Sequence, residues 1–186
     1  MTASTPAASL SEMLVTERLR LRLCEERDAA AIARACNNPA VARMTGTLVT
    51  PYLPDAAAFF ILQQPSLRRR GLAHNWLAER DGKLVGCIGV FRSAPADVWE
   101  VGYWVAEPSW GRGFATEMVG CVVDATRPAP LAARVFADNP ASLRVLQKCG
   151  FTVSGPERGH CMERQDWVDG WRLNLARNTQ PRGHLA

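Results

Sequence analysis

The most constraining feature of this chain is an apolar run with no polar side. From Lys83 to Phe91, Leu84, Ile88 and Val90 alternate with Val85, Cys87 and Phe91. Successive residues of a strand point to opposite faces, so both faces of this one are apolar. Such a strand lies in the middle of a sheet and is covered on both sides. It is the second arm of a hairpin. His74 to Arg80 is extended, and Asp81-Gly82 is a two-residue type I′ turn signal.

The flanking sequence supplies the covering layers. Arg18 to Leu23 alternates strictly, with Leu19, Leu21 and Leu23 on one face. Asp28 caps a helix running to about Asn37, with Ala29, Ile32, Ala33 and Cys36 on one side, and Asn38-Pro39 ends it. Pro54 begins a second helix, carrying Ala58, Phe59 and Leu62, that fades at Arg70-Gly71. After Ser93-Ala94-Pro95 a long strand runs from about Val98 to Ala106. A loop then enters a helix from about Gly113 to Thr126, apolar at Phe114, Met118, Cys121, Val122 and Ala125. Arg127 to Pro130 breaks the chain, and Leu131 to Ala137 is a strand. Pro140 opens a helix that Gly150 closes. The last strands are Phe151 to Val153 and about Gly170 to Ala176. The order β-α-α-β-β-β-α-β-α-β-β predicts an α/β fold, a mixed sheet with helices on both faces. The 186 residues suit one domain, 14–178, between tails at 1–13 and 179–186.

Composition removes several classes of function. No apolar stretch reaches the ~18 residues of a membrane span. The N-terminus lacks the basic and apolar regions of a signal peptide. Net charge is +4, which suits an anionic ligand but is far from the basic stripe of a nucleic-acid binder. The Arg68-Arg69-Arg70 cluster reads as the solvated end of a helix. The six Cys contain no CxxC pair, and the three His complete no zinc pattern. No metal is expected, and a reducing, cytoplasmic compartment is.

Three segments carry chemistry. The first is Glu107-Pro108-Ser109-Trp110-Gly111-Arg112-Gly113-Phe114-Ala115-Thr116, which joins a strand to a helix. Gly111 and Gly113 let backbone amides approach a ligand, and the first helical amides point outward at the positive end of the dipole. That arrangement suits a pyrophosphate, and it also suits a tight turn with no ligand. Neither the Walker nor the dinucleotide glycine pattern is present. The second is Asp138-Asn139-Pro140-Ala141-Ser142, where Asn139 or Ser142 is a helix cap or a ligand contact. The third is Glu100, a carboxylate inside the apolar strand Val98 to Val105. It is either a paired structural group or one adapted to proton transfer.

Taken together, these pieces resemble the GCN5-related N-acetyltransferase (GNAT) superfamily, in its ribosomal-protein-alanine acetyltransferase (RimJ/RimL-like) branch. Four segments stand in the family's order between about Leu14 and Arg177. They are Thr16-Glu17-Arg18-Leu19-Arg20-Leu21-Arg22, Glu100-Val101-Gly102-Tyr103-Trp104-Val105, Trp110 to Glu117, and Asn139 to Phe151. The resemblance implies a mostly antiparallel sheet of about seven strands with one splayed parallel pair. It also implies acetyl-CoA as the acetyl donor. Gly113 and Ala115 match the last fixed positions of the family's CoA loop, and Trp110 stands where the family carries Gln or Arg. Backbone amides from Gly111 through Arg112, Gly113 and Phe114 to Ala115 would then carry the pyrophosphate, with Thr116 following. Pantetheine would thread between Val98–Ala106 and Leu131–Ala137. It would pair with backbone groups near Trp104, Val105 and Ala106 and pass Asn139.

The resemblance further implies direct attack of an amine on the thioester in a ternary complex. Glu100 matches the family's general base, acting directly or through water. Ser142 is the candidate acid for the leaving thiolate, with Tyr103 second. Tyr103 has the opposite strand parity to Glu100 and should face away from it. Val105 is the candidate oxyanion donor. A covalent acyl-Cys route through Cys149 is disfavoured, because that residue ends a helix, where the dipole opposes a thiolate. Acceptor contacts are expected from about Met44 to Tyr52 and about Glu157 to Trp171. Met44, Thr45, Tyr52, Arg158 and His160 are candidates, and Glu107 or Asp55 could hold an ammonium. The acceptor is a protein N-terminal α-amine or a small-molecule amine such as an aminoglycoside. A non-catalytic acyl-CoA-binding module is the remaining reading, and a homodimer is compatible with any of them.

Overall fold

Both residues of the Asp81-Gly82 turn have positive φ, 51° and 71°, as a type I′ hairpin requires. They join the two central arms of one sheet in a computed structural model that describes residues 10–93, 98–127 and 129–175. Among these residues there are eight strands: β1 (Met13–Val15), β2 (Arg20–Arg22), β3 (Ala73–Arg80), β4 (Lys83–Ser93), β5 (Val98–Val105), β6 (Leu131–Phe136), β7 (Thr152–Cys161) and β8 (Asp166–Leu175). They lie in the order β1-β2-β3-β4-β5-β6-β8-β7. The helices are α1 (Ala29–Cys36), α2 (Pro39–Ala42), α3 (Pro54–Arg69), α4 (Phe114–Ala125) and α5 (Pro140–Lys148). The expected tails at 1–9 and 179–186, and most of the break at Ser93-Ala94-Pro95, lie outside the described residues.

Strand β4 occupies the centre as its two apolar faces demand, with β3 and β5 antiparallel on either side. Each face of the sheet carries its own core. On one, Trp76, Ile88, Val101, Val105 and Leu131 pack with Phe114, Met118 and Val122 of α4 and Leu146 of α5. On the other, Leu77 and Cys87 pack with Ile32 and Cys36 of α1, Val41 of α2, and Ala57 and Ile61 of α3.

Several expectations are corrected. The sheet has one strand more than the sequence pattern shows. Met13, assigned to the tail, opens β1, whose three residues pair with β2 and are too few to display a period. Pro39 opens a further short helix, α2, with the Asn38 side chain accepting the Ala40 N–H at its N-cap. In α3 the buried positions are Ala57 and Ile61, whereas Phe59 and Leu62 are 62% and 75% exposed. In α4, Val119 and Val123 are buried while Cys121 and Ala125 are only half-buried, so the apolar stripe is rotated from the one expected. Asp28 stands at the N-cap of α1 but makes no side-chain cap bond. Its carboxylate accepts the Glu25 N–H and two bonds from Arg22, each 2.8 Å.

The feature that positions the site is a parting of strands. β5 pairs with β6 in parallel only at Trp99–Leu131 and Glu100–Ala132. Beyond those two positions β5 stays on β4 as far as Val105, and β6 stays on β8 as far as Phe136. The two strands therefore diverge toward their C-terminal ends and leave a wedge open in the sheet.

Arg22 ties β2 to both β3 and the start of α1. Its fork holds Asp28 and its Nε holds Glu79, at 2.8 Å. Burial alone would raise both carboxyls, and the Arg22 bonds more than offset it, holding each below the ordinary carboxylate range. Carboxyls depressed in the folded state stabilise above the unfolded pKa, about 4, and lose that contribution as pH falls through the folded values. Urea unfolding of Arg22→Met at pH 7 is expected to show a loss of about 3 kcal/mol, with a shallower decline below pH 4 than the wild type. Equal stability of the two proteins at pH 7 would contradict this.

Candidate active site

Glu100 sits at the apex of the wedge, the last residue of β5 paired to β6. Its side chain is 2% exposed. Oε2 accepts from Arg134 Nε of β6 at 3.1 Å, and Oε1 accepts from Arg172 Nη1 of β8 at 3.0 Å. Arg172 also lies 3.5 Å from Glu157 Oε2. The strand period puts Glu100, Arg134 and Arg172 on one face of the sheet, the face that carries α1 and α3. An ion-paired carboxylate thus pins β5 to β6 and β8 at the point where the ladder stops.

Tyr103 lies on the opposite face, packed with the α4 and α5 core. Its hydroxyl is 2.8 Å from Ser142 Oγ, with either oxygen able to donate. Burial pushes the phenol up to about 12, only partly offset by the bond to Ser142. Ser142 is in the first turn of α5, and its N–H donates to Asn139 Oδ1 at 3.0 Å. Asn139 is therefore the N-cap of α5, and this bond holds the Ser142 hydroxyl beside Tyr103. The structure joins Tyr103 of β5 to Ser142 and Asn139 at the start of α5 in one chain of contacts. The expected opposition of Tyr103 and Glu100 is what the sheet displays.

The segment after β5 forms a short 3₁₀ turn, Glu107–Ser109, and then the glycine loop. Gly111 and Gly113 have φ of +73° and +79°, where a side chain would be strained. Gly113 is the N-cap of α4. Glu117 is the first α4 amide bonded back into the helix, to the Gly113 carbonyl at 3.1 Å. The amides of Phe114, Ala115 and Thr116 lack intrahelical acceptors and form a positive helix terminus. The Phe114 ring is 2% exposed and belongs to the core, so only its amide can meet a ligand.

Trp110, standing where the family carries Gln or Arg, offers no side-chain donor to a ligand, because its one N–H is spent inside the fold. Its indole Nε1–H donates to the Val105 carbonyl at 2.7 Å and fastens the loop to the end of β5. The Ala106 N–H is likewise spent, on the Val85 carbonyl at 2.8 Å. These two bonds fix the end of β5 against the glycine loop on one side and β4 on the other.

The two segments expected to contact an acceptor, far apart in sequence, are brought together. The Met162 N–H donates to the Gly46 carbonyl at 3.1 Å, and Thr50 holds Glu163 through its N–H and Oγ1, each 2.6 Å. Arg164 donates to the Arg43 carbonyl and pairs with Asp138. Helix α2 lies between two anchors. Asn38 Nδ2 donates to Glu107 Oε2 at 2.6 Å, just past β5, and Arg43 pairs with Asp138 at 3.2 Å, just past β6. The cap residues of α2 thus tie it to both strands of the wedge.

Other candidates are placed differently. Arg158 pairs with Asp169, and His160 meets the edge of Trp167, in register positions on the hairpin face away from Glu100. Tyr52 is half-buried against the α1–α3 core, where burial raises it to about 12. Thr45 Oγ1 donates to Ala42 within its own loop at 2.9 Å, and Met44 Sδ contacts Arg164. Asp55 is exposed in the first turn of α3. Sequence reasoning missed Arg134 and Arg172. The signal for Arg134 was a single charge in the apolar strand β6, whereas Arg172 stands among other charged residues of β8 and has no such signal. It also assigned no role to Thr16, Arg18 and Glu117, which meet at the glycine loop.

Comparison with known proteins places this geometry. A family model described as the acetyltransferase (GNAT) domain matches residues 18–152. The chain is 34% identical over 154 residues to the uncharacterized N-acetyltransferase YoaA of Bacillus subtilis, covering 77% of this chain and 84% of that one. In fold it is similar to RimL, a ribosomal L7/L12 α-N-protein acetyltransferase solved with coenzyme A, at a TM-score of 0.78 and 19% identity over 88% of this chain and 97% of that one. It is also similar to Mycobacterium smegmatis RimJ, at 0.77 and 21% over 93% and 89%. The splayed sheet, the glycine loop at a helix terminus and the sequence match agree: the chain belongs to the GNAT family of acetyltransferases.

Proposed function

We propose that this protein transfers the acetyl group of acetyl-CoA to a primary amine, a protein N-terminal α-amine being the acceptor class, by direct attack in a ternary complex. The observation that carries the reading is the wedge, since β5 and β6 part after two paired positions. The opening has the place and direction that a pantetheine arm needs. Amides from Gly111 to Thr116 at its mouth would hold the pyrophosphate. The protein acceptor is supported by the fold shared with RimL and RimJ and by the long β7–β8 hairpin beside the wedge. Six cysteines that form no disulfide among the described residues accord with a reducing, cytoplasmic setting.

In this reading the amine attacks the thioester carbon, the C–N bond forms and the C–S bond breaks. The amine must be neutral beforehand. Both oxygens of Glu100 already accept from guanidiniums, so its remaining lone pairs take up the amine's proton through a water rather than by direct contact. On the other face, the Ser142 hydroxyl donates a hydrogen bond to the leaving sulfur, with Tyr103 behind it. A phenol near 12 does not surrender its proton to a thiolate whose own pKa is about 8.5. The pair therefore stabilises the developing charge, and the net proton arrives from the amine or from solvent. Cys149 is 4% exposed in the core with its Sγ toward the Thr116 carbonyl, which supports a route with no acyl-enzyme.

Three substitutions test the roles. Ser142→Ala is expected to lower kcat by roughly tenfold to a hundredfold with CoA affinity little changed, and unaltered turnover would remove it from the reaction. Glu100→Gln keeps the shape of the pin and is expected to lower kcat, most strongly at low pH where the amine is protonated; a pH-rate profile that overlays the wild type would leave Glu100 purely structural. Gly113→Val puts a branched residue at φ +79° against the phosphate path and is expected to raise the KM for acetyl-CoA by about tenfold or more. Normal acetyl-CoA binding would overturn the loop assignment. Thiol release measured over N-terminal peptides, polyamines and aminoglycosides tests the acceptor. Preference for a small amine would overturn the protein-acceptor reading.

A further inference from the structure

Glu117 is an acidic residue in the first turn of α4, close to the amides proposed to hold a pyrophosphate. A carboxylate there has the ligand's own sign and competes for the positive end of the helix. It is enclosed instead. Oε1 accepts from Thr16 Oγ1 and from the Arg18 N–H, the latter at 2.9 Å. Oε2 accepts from Arg18 Nε at 2.8 Å and lies 2.6 Å from Arg18 Nη2. The third guanidinium nitrogen, Nη1, donates to the Arg112 carbonyl at 3.0 Å, in the middle of the glycine loop. The same guanidinium lies 4.8 Å over the Phe114 ring at the first helical position. Burial would raise the Glu117 carboxyl, but the Thr16 and Arg18 bonds hold it below the ordinary range. One cation therefore cancels an anion at the helix terminus and turns a loop carbonyl inward, which leaves the loop's amides as the outward polar groups.

We propose that Thr16, Arg18 and Glu117 form a charge-balanced clamp that sets the affinity of the Gly111–Thr116 loop for the pyrophosphate of coenzyme A, with Arg18 as its positioning residue. The proposal rests on the loop assignment made under Proposed function. It gives a physical role to the Thr16-Glu17-Arg18 opening, whose partner is 99 residues away in sequence.

The test compares CoA binding by calorimetry with turnover of acetyl-CoA and of acetyl-pantetheine, which lacks the pyrophosphate. Arg18→Gln is expected to weaken CoA binding about tenfold and to raise the KM for acetyl-CoA, while acetyl-pantetheine turnover changes less than about twofold. Glu117→Gln alone is expected to bind CoA as well as the wild type or more tightly, and the double variant to recover most of the Arg18→Gln loss. A clamp with no electrostatic role predicts otherwise: Glu117→Gln would weaken CoA as much as Arg18→Gln, or acetyl-pantetheine turnover would fall in the same proportion. Either result overturns the proposal. Should Arg18→Gln fail to fold, Glu117→Gln and Arg18→Lys carry the test, the latter keeping the charge but losing the fork. Absence of CoA binding by the wild-type protein would overturn the loop assignment itself, before any variant is compared.

Discussion

Two neighbouring strands that stop pairing while both continue are costly to keep. Their facing backbone groups lose ladder partners and must meet water or a ligand. In this protein the parting of β5 from β6 is enforced from outside the gap. β4 holds β5 to its end, and β8 holds β6 to its end. At the apex, Glu100 binds one arginine from β6 and one from β8. At the mouth, the caps of α2 reach Glu107 on one side and Asp138 on the other. The pair cannot zip together without giving up contacts on both flanks.

The wedge also sorts chemistry by face. Glu100 and its two arginines share the face of α1 and α3, where the 43–50 loop docks on the β7–β8 turn. Tyr103 and Ser142 occupy the other face, at the start of α5. In the proposed reading, a thioester seated between them would have a carboxylate on one side and paired hydroxyls on the other. That is the arrangement an addition–elimination step uses, with proton removal from the nucleophile on one side and charge stabilisation at the leaving atom on the other. The glycine loop belongs to neither face. It continues from the end of β5, fixed there by the Trp110 indole.

Much of this was legible because it is local. The Asp81-Gly82 turn, the doubly apolar β4, Pro140 opening α5 and the glycines at positive φ each carry their reason within a few residues. The parity that separates Tyr103 from Glu100 is likewise a property of one strand. What the sequence hid is pairwise and distant. Nothing near Trp110 says that its N–H is spent on Val105, and nothing near Glu100 names Arg134 and Arg172. Phe59 and Leu62 look like core in a helical pattern yet lie exposed, because the neighbours of α3 meet its Ala57 and Ile61 side. The N-terminal strand escaped notice because three residues cannot display a period.

The account stands on the wedge as the seat of the donor, and hydrogen exchange measured with and without coenzyme A tests it most directly. The amides that face the wedge, in 101–105 of β5 and in the second half of β6, and those in 111–116 should exchange readily in the free protein and become protected together when coenzyme A is added. If coenzyme A binds while those amides keep their free-state exchange, or if the wedge-facing amides of β5 beyond Glu100 are already as protected as β4, the donor is held elsewhere and the account is wrong.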